Sequence, residues 1–263
     1  MATVRLTQGT IHYHRAGRAG GTPLVLLSAS PGDHRDFDAV VAALAQHFDV
    51  IAPDWPGYGA SSPLATPEQA SAMAFYEVLV EFLDVLGIAQ AAFIGNSVGG
   101  YAATRLAIEQ PQRVAKLVLV SPGGFTPHNV LTRFFCRWQG SALAIPPGPL
   151  ARLYLRRHTP AADAMRARAA GEQSRPPART QVRAIWRSFT DAEHDLRRRA
   201  RNVRCPVLLV FGNGDPIIPW WLDGRVAQRA MPHAQFRRLP GGHAPFAEVP
   251  ERFLEAALPF LGA

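Results

Sequence analysis

Ala91-Ala92-Phe93-Ile94-Gly95-Asn96-Ser97-Val98-Gly99-Gly100 is the stretch that decides the fold. A short apolar run turns through Gly-Asn-Ser-Val-Gly into a segment compatible with helix as far as Glu109. The order is strand, sharp turn, helix. In a G-x-S-x-G elbow the serine takes a strained backbone conformation at the turn, and the flanking glycines are needed because a Cβ would collide across it. That geometry lifts Ser97 Oγ out of the sheet. A helix starting at Val98 also aims free backbone N–H groups and the positive end of its dipole at the same spot, which suits a developing oxyanion. The bare pentapeptide equally fits an ordinary serine in a glycine-rich turn, so the rest of the chain has to decide.

Outward from the elbow, apolar runs alternate with helical periodicities. Val4 to Thr7 and Thr10 to Arg15 read as short strands, Pro23 to Leu27 as a strand buried on both faces, and Phe48 to Pro53 as a fourth. The elbow strand, Lys116 to Val120, Cys205 to Phe211 and Ala234 to Leu239 complete the set. Between them, helical spacing covers Asp36 to His47, Pro67 to Leu86 with Gly87 as its cap, Val98 to Glu109, Trp220 to Ala230 and Glu251 to Leu261. Such alternation predicts an α/β fold with a doubly wound, mostly parallel eight-stranded sheet and right-handed crossovers. Catalytic groups in such sheets gather at the carboxyl ends of the strands, where Ser30, Asp54 and Ser97 fall.

From Thr126 to Val203 the alternation fails, and Pro-rich punctuation separates Arg-rich helical pieces. The expected organisation is a core domain of residues 1-125 and 204-263 with a helical, Arg-rich cap inserted at 126-203. This insertion explains the net charge of +8: residues 126–204 carry sixteen Arg against five Asp and Glu, and the remainder is slightly acidic. A charge confined to one segment, with Lys116 the only lysine, argues against a nucleic-acid partner. No run approaches the ~18 to 20 apolar residues of a membrane span. The N-terminus enters strand pattern directly without the marks of a signal peptide, so a cytoplasmic location is expected. Cys136 and Cys205 are far apart and belong to no metal-ligand spacing, which predicts two plain buried thiols and no disulfide. His12 and His14, two apart on one strand, read as surface residues.

A serine hydroxyl needs a base within hydrogen-bond reach, and the base needs a carboxylate to hold its tautomer. Ser97, Asp215 in Gly212-Asn213-Gly214-Asp215, and His243 in Gly242-His243-Ala244-Pro245 each sit just past a strand. Asp223 competes with Asp215 but falls inside a predicted helix, on the surface. With Asp54-Trp55-Pro56-Gly57-Tyr58-Gly59-Ala60-Ser61, and with Glu248 and Pro250 behind His243, these motifs stand in the order found in capped α/β-hydrolases, which the chain resembles over nearly its whole length outside the cap. The resemblance implies a catalytic triad of Ser97, Asp215 and His243, oxyanion donors at the Val98 and Ser30 N–H groups, and a loop-tying rather than catalytic role for Asp54. Trp220 and Trp221 either line a substrate pocket or pack the last helix.

One departure stands out: the first oxyanion loop of that family usually reads His-Gly-x-Pro, whereas this chain has Ser28-Ala29-Ser30-Pro31. The resemblance implies a serine hydrolase acting on a small-molecule carboxylic ester through an acyl-enzyme, without cofactor or metal, as a monomer or homodimer. Several alternatives stay open: a carbon–carbon bond hydrolase, suggested by the Gly-Asn-Ser-x-Gly-Gly elbow; a lactonase, an aminopeptidase or a perhydrolase; and a non-catalytic ligand-binding member of the fold.

Overall fold

The computed structural model describes residues 2–173 and 175–263. Eight strands form one sheet: β1 (Ala2–Leu6), β2 (Gly9–Ala16), β3 (Pro23–Leu27), β4 (Asp49–Pro53), β5 (Ala91–Asn96), β6 (Val114–Val120), β7 (Val207–Gly212) and β8 (Gln235–Leu239). Their order is β1-β2-β4-β3-β5-β6-β7-β8, with β1-β2 and β2-β4 antiparallel and every other neighbour parallel. The chain thus has the mostly parallel sheet expected from its alternating pattern, and β5 lies inside it between β3 and β6.

Successive side chains of a strand point to opposite faces, and the continuous apolar runs serve two cores. Val25, Leu27, Phe93, Leu117 and Leu209 pack on one face with α2 (Ala72–Val85) and α3 (Val98–Glu109), through Phe75, Phe82 and Tyr101. Leu24, Leu26, Ile94, Val118 and Val210 pack on the other with α1 (Asp38–Leu44) and α10 (Pro250–Leu261), through Val40, Leu44 and Phe253. Burying a side chain of this size stabilises the fold by roughly 1.5–3 kcal/mol. Strands buried on both faces therefore hold the molecule together and leave their carboxyl ends free for chemistry.

Three predicted helices differ at their starts. The one expected from Asp36 opens as a tight turn, His34–Phe37, capped by Asp33, whose carboxylate accepts from Arg35 N–H at 2.9 Å. The one expected from Pro67 breaks at Ala70, and α2 begins after Ser71, whose Oγ accepts from Ala74 N–H at 3.0 Å. Ser71 was a readable N-cap signal. The one expected from Trp220 opens with a wide π-turn, Trp220–Gly224, before α8 (Arg225–Ala230). Gly87 takes the left-handed conformation expected of it, at φ 67°.

Between β6 and β7 run four helices: α4 (Val130–Gln139), α5 (Pro147–Tyr154), α6 (Pro160–Gln173) and α7 (Pro176–Ser188). After β8 the short α9 (Pro245–Glu248) precedes α10. Among the described residues, no helix is long and apolar enough to cross a membrane.

The close approach of α3 to the sheet rests on its glycines. A Cβ on Gly99 would come within 2.7 Å of the Ser28 carbonyl oxygen and would also strike that of Leu27, and one on Gly95 would meet the Gly99 carbonyl oxygen at 2.7 Å. Backbone cannot yield as a side-chain tip can. Gly99→Ala is expected to lower the unfolding free energy by about 2 kcal/mol or more in urea titrations, and unchanged stability would refute the close approach.

Candidate active site

Ser97 sits at the hinge between β5 and α3 with φ 53° and ψ −115°, a conformation that costs a non-glycine residue about 1–3 kcal/mol. The neighbouring chain holds it there. Ser97 N–H donates to the Val120 carbonyl at 3.1 Å, while its own carbonyl accepts from Tyr101 N–H at 3.0 Å and Gly123 N–H at 2.9 Å. Asn96 adds a link that sequence reading missed. Its buried amide donates to the carbonyls of both Val120 and His243, each at 3.0 Å, and so ties the elbow to the histidine loop.

That loop is positioned by a carboxylate. Glu248, 1% exposed, accepts from Gly242 N–H at 2.8 Å and Ala244 N–H at 3.3 Å on its own side. It also accepts from Arg156 and Arg157 N–H at 2.7 and 2.8 Å, just beyond α5. His243 N–H donates to the Tyr154 carbonyl at 2.9 Å, and the Tyr154 ring meets the imidazole edge-on at 5.4 Å. The imidazole Nδ1 lies 2.7 Å from Asp215 Oδ2, and both side chains are buried. The other Asp215 oxygen accepts from Ile217 and Ile218 N–H at 2.9 and 3.1 Å. Both carboxylate oxygens are therefore aimed and paired.

Ser97, Val98 and Ser30 lie in the wall of one cavity of about 400 Å³. Its opposite walls come from the inserted helices, through Phe135 of α4 and Ile185 and Trp186 of α7, and from Trp221. Trp220 lies outside the cavity lining, with the Arg238 guanidinium 4.1 Å from its ring centroid. The Ser28-Ala29-Ser30 loop is anchored by Trp55, whose indole N–H donates to the Ser28 carbonyl at 2.9 Å, and by Ser30 Oγ, 2.7 Å from the buried Tyr58 hydroxyl.

Asp54 joins loops. Fully buried, it accepts from His34 N–H at 2.9 Å and Ala60 N–H at 3.0 Å, and it meets the Nδ1 atoms of His34 and His12 at 2.7 and 3.2 Å. Those hydrogen bonds draw its pKa down against the opposing effect of burial. His12, expected on the surface, is thereby half-buried against Asp54, and His14 stacks on the His34 ring at 5.7 Å. His12, His34 and Asp54 are close enough to share a cation, but backbone donors already occupy both Asp54 oxygens.

Asp223 corrects a second expectation. It is 1% exposed rather than on the surface, and it lines the cavity. Burial pushes its carboxyl up to about 6; the hydrogen bond from Thr126 opposes that shift and the nearby Asp215 reinforces it. The two cysteines are free and half-buried, and burial raises both thiols to about 11.

The chain belongs to the α/β-hydrolase family: residues 22–250 match the family described as alpha/beta hydrolase fold. It is 31% identical over 272 residues to a Caulobacter protein (strain K31) provisionally named carbamate hydrolase RutD, covering 96% of both chains. It is 30% identical over 274 residues to a Paraburkholderia phymatum 2-hydroxy-6-oxononadienedioate/2-hydroxy-6-oxononatrienedioate hydrolase, covering 97% of this chain and 92% of that one. A thermophilic esterase from Thermogutta terrifontis superposes with a TM-score of 0.81 at 24% identity, covering 99% of this chain and 98% of that one, and so shares the fold.

The raised Asp223 pKa has a consequence for stability. Between the unfolded carboxyl's ordinary value and about 6, the folded protein holds a proton that the unfolded chain has lost. Stability from this group is complete below that window and is lost as pH rises through it. Asp223→Asn is expected to gain on wild type as pH goes from 4 to 7, by at most roughly 3 kcal/mol, read from urea midpoints; a pH-independent difference would contradict the assignment.

Proposed function

We propose that the protein is a serine hydrolase that cleaves a small to medium carboxylic ester through an acyl-enzyme on Ser97. The observation that carries this reading is the buried His243–Asp215 pair, tied through Asn96 to an elbow that sets Ser97 in a cavity wall. Asp215 holds Nδ1 of His243 and leaves Nε2 as the base. Ser97 Oγ attacks the substrate carbonyl carbon as its proton passes to Nε2, and the charge developing on the carbonyl oxygen is received by the Val98 and Ser30 N–H groups. Val98 is the first residue of α3, so its N–H lies outside the helix's own ladder. The imidazolium then protonates the departing alkoxide. In the second half, His243 takes a proton from water, the hydroxide adds to the acyl carbon, and Ser97 leaves with the proton returned.

Residues 1-125 and 204-263 serve in this reading as the catalytic core, and 126-203 as a cap that covers the acyl chain. The apolar side chains that α4 and α7 contribute to the cavity support that role. A second reading uses the same three residues to cleave a carbon–carbon bond. It is favoured by the likeness to the Paraburkholderia hydrolase.

Initial rates on p-nitrophenyl esters from acetyl to dodecanoyl test the first reading. Ser97→Ala is expected to lower turnover by at least about 10³, and Asp215→Asn by about 10⁴; a fluorophosphonate is expected to label Ser97. Wild-type turnover of a 2-hydroxy-6-oxodienoate with none of any ester would select the carbon–carbon reading. Ester turnover that survives Ser97→Ala would defeat both.

A further inference from the structure

The mechanism above leaves Asp223, a carboxyl of the cavity wall, without a task. We propose that Asp223 is a binding residue that selects substrates carrying a hydrogen-bond donor, a hydroxyl or an N–H, on the portion held against the π-turn. This inference rests on the reading of Ser97 as the acyl nucleophile and adds a substrate class to it.

Three observations support it. The first is an unpaired oxygen: Asp223 Oδ1 accepts from the Thr126 hydroxyl, whereas Oδ2 is buried without a hydrogen-bond partner among the described residues. An acceptor withdrawn from water with no donor is expensive to leave so, whereas the buried Asp215 and Asp54 pair both oxygens. Asp223 faces Thr126, Cys136, Asp215 and His243, and among the described residues no guanidinium or ammonium pairs with it. Burial raises its pKa, and the nearby Asp215 adds to the shift.

The second is location. Asp223 shares the cavity with Ser97, and most of the other lining groups are apolar, among them Ile185, Trp186, Phe189 and Ile218. Two polar lining groups are already engaged: Ser30 Oγ with Tyr58, and Arg133 with the Thr190 carbonyl at 3.0 Å. Oδ2 has almost no accessible surface, so a substrate donor in this space meets it once the carboxylate turns toward the cavity.

The third is the backbone. The Pro219 carbonyl accepts from Asp223 N–H at 2.9 Å, as in an α-turn, and also from Gly224 N–H at 3.4 Å, so a turn one residue wider overlaps the start of the helix. Such turns cost hydrogen-bond quality and recur at functional sites. Here the wide turn carries the carboxylate in the cavity wall.

The test compares kcat/KM for p-nitrophenyl esters of ω-hydroxy acids of six to ten carbons with the matching n-alkanoates, in wild type, Asp223→Asn and Asp223→Leu. The ratio of two substrates in one preparation is independent of how much protein folds. A charged acceptor is expected to favour the hydroxylated ester of one chain length by about tenfold or more, carried by KM rather than kcat. Asp223→Leu is expected to reduce the ratio to one or below, with Asp223→Asn intermediate. A wild-type ratio near one at every length, or a ratio unchanged in Asp223→Leu, overturns the proposal.

If wild type cleaves no ester, the catalytic reading fails and the proposal is decided by binding. Tryptophan fluorescence of Ser97→Ala is titrated with hexanamide and with 6-hydroxyhexanamide. Tighter binding of the hydroxylated amide, lost on adding Asp223→Leu, sustains the proposal, and equal affinities refute it.

Discussion

The strained backbone of Ser97 is the constraint on which the rest of the structure depends. A residue at φ 53° and ψ −115° persists only where its surroundings over-determine it. Here β6 supplies an acceptor at Val120, Gly123 donates to the Ser97 carbonyl, and α3 packs against the ends of β3 and β5 so closely that Gly95 and Gly99 have no room for a Cβ. Two cores on opposite faces of the sheet keep those strands in register, so the elbow is held by the whole α/β sandwich.

A second control lies in Glu248. A carboxylate stripped of water is tolerated only when charge-assisted hydrogen bonds replace it, and Glu248 receives four backbone donors, two from the histidine loop and two from the chain leaving α5. The imidazole is thereby positioned jointly by the loop after β8 and by the chain leaving α5. The arginines between β6 and β7 contribute too. Arg166 donates to the Leu155 and Arg157 carbonyls, Arg187 to that of Gly140, Arg133 to that of Thr190, and Arg168 pairs with buried Asp36 at 2.7 Å. Much of the basic charge that looks like a solvated surface in the sequence is spent tying helix ends and loops.

Much of the fold was legible because its signals are local. Apolar runs marked the inner strands β3 to β7, and the glycine-flanked Ser97 and the loops holding Asp215 and His243 announced the candidate site in chain order. Three departures have one physical cause. Asp223 looked exposed in a helical pattern because its partner Thr126 lies 97 residues away, and it lines the cavity wall. His12 looked exposed because its partner Asp54 lies 42 residues away. Asn96, an anonymous position in the elbow motif, acquires its task only when His243, 147 residues on, arrives beside it.

The sequence by itself determined the alternation of strands and helices, the placement of Ser97, Asp215 and His243 just past strand ends, and the break in that alternation between β6 and β7. Each follows from periodicity, turn chemistry or a glycine requirement that acts over a few residues. Only the tertiary structure decided that Asp215 and His243 meet at 2.7 Å, that Trp221 rather than Trp220 enters the cavity wall, and that Asp223 is buried there with one oxygen unpaired. Burial and hydrogen-bond pairing belong to the space between elements, and that space exists only once the sheet and the inserted helices have closed around it.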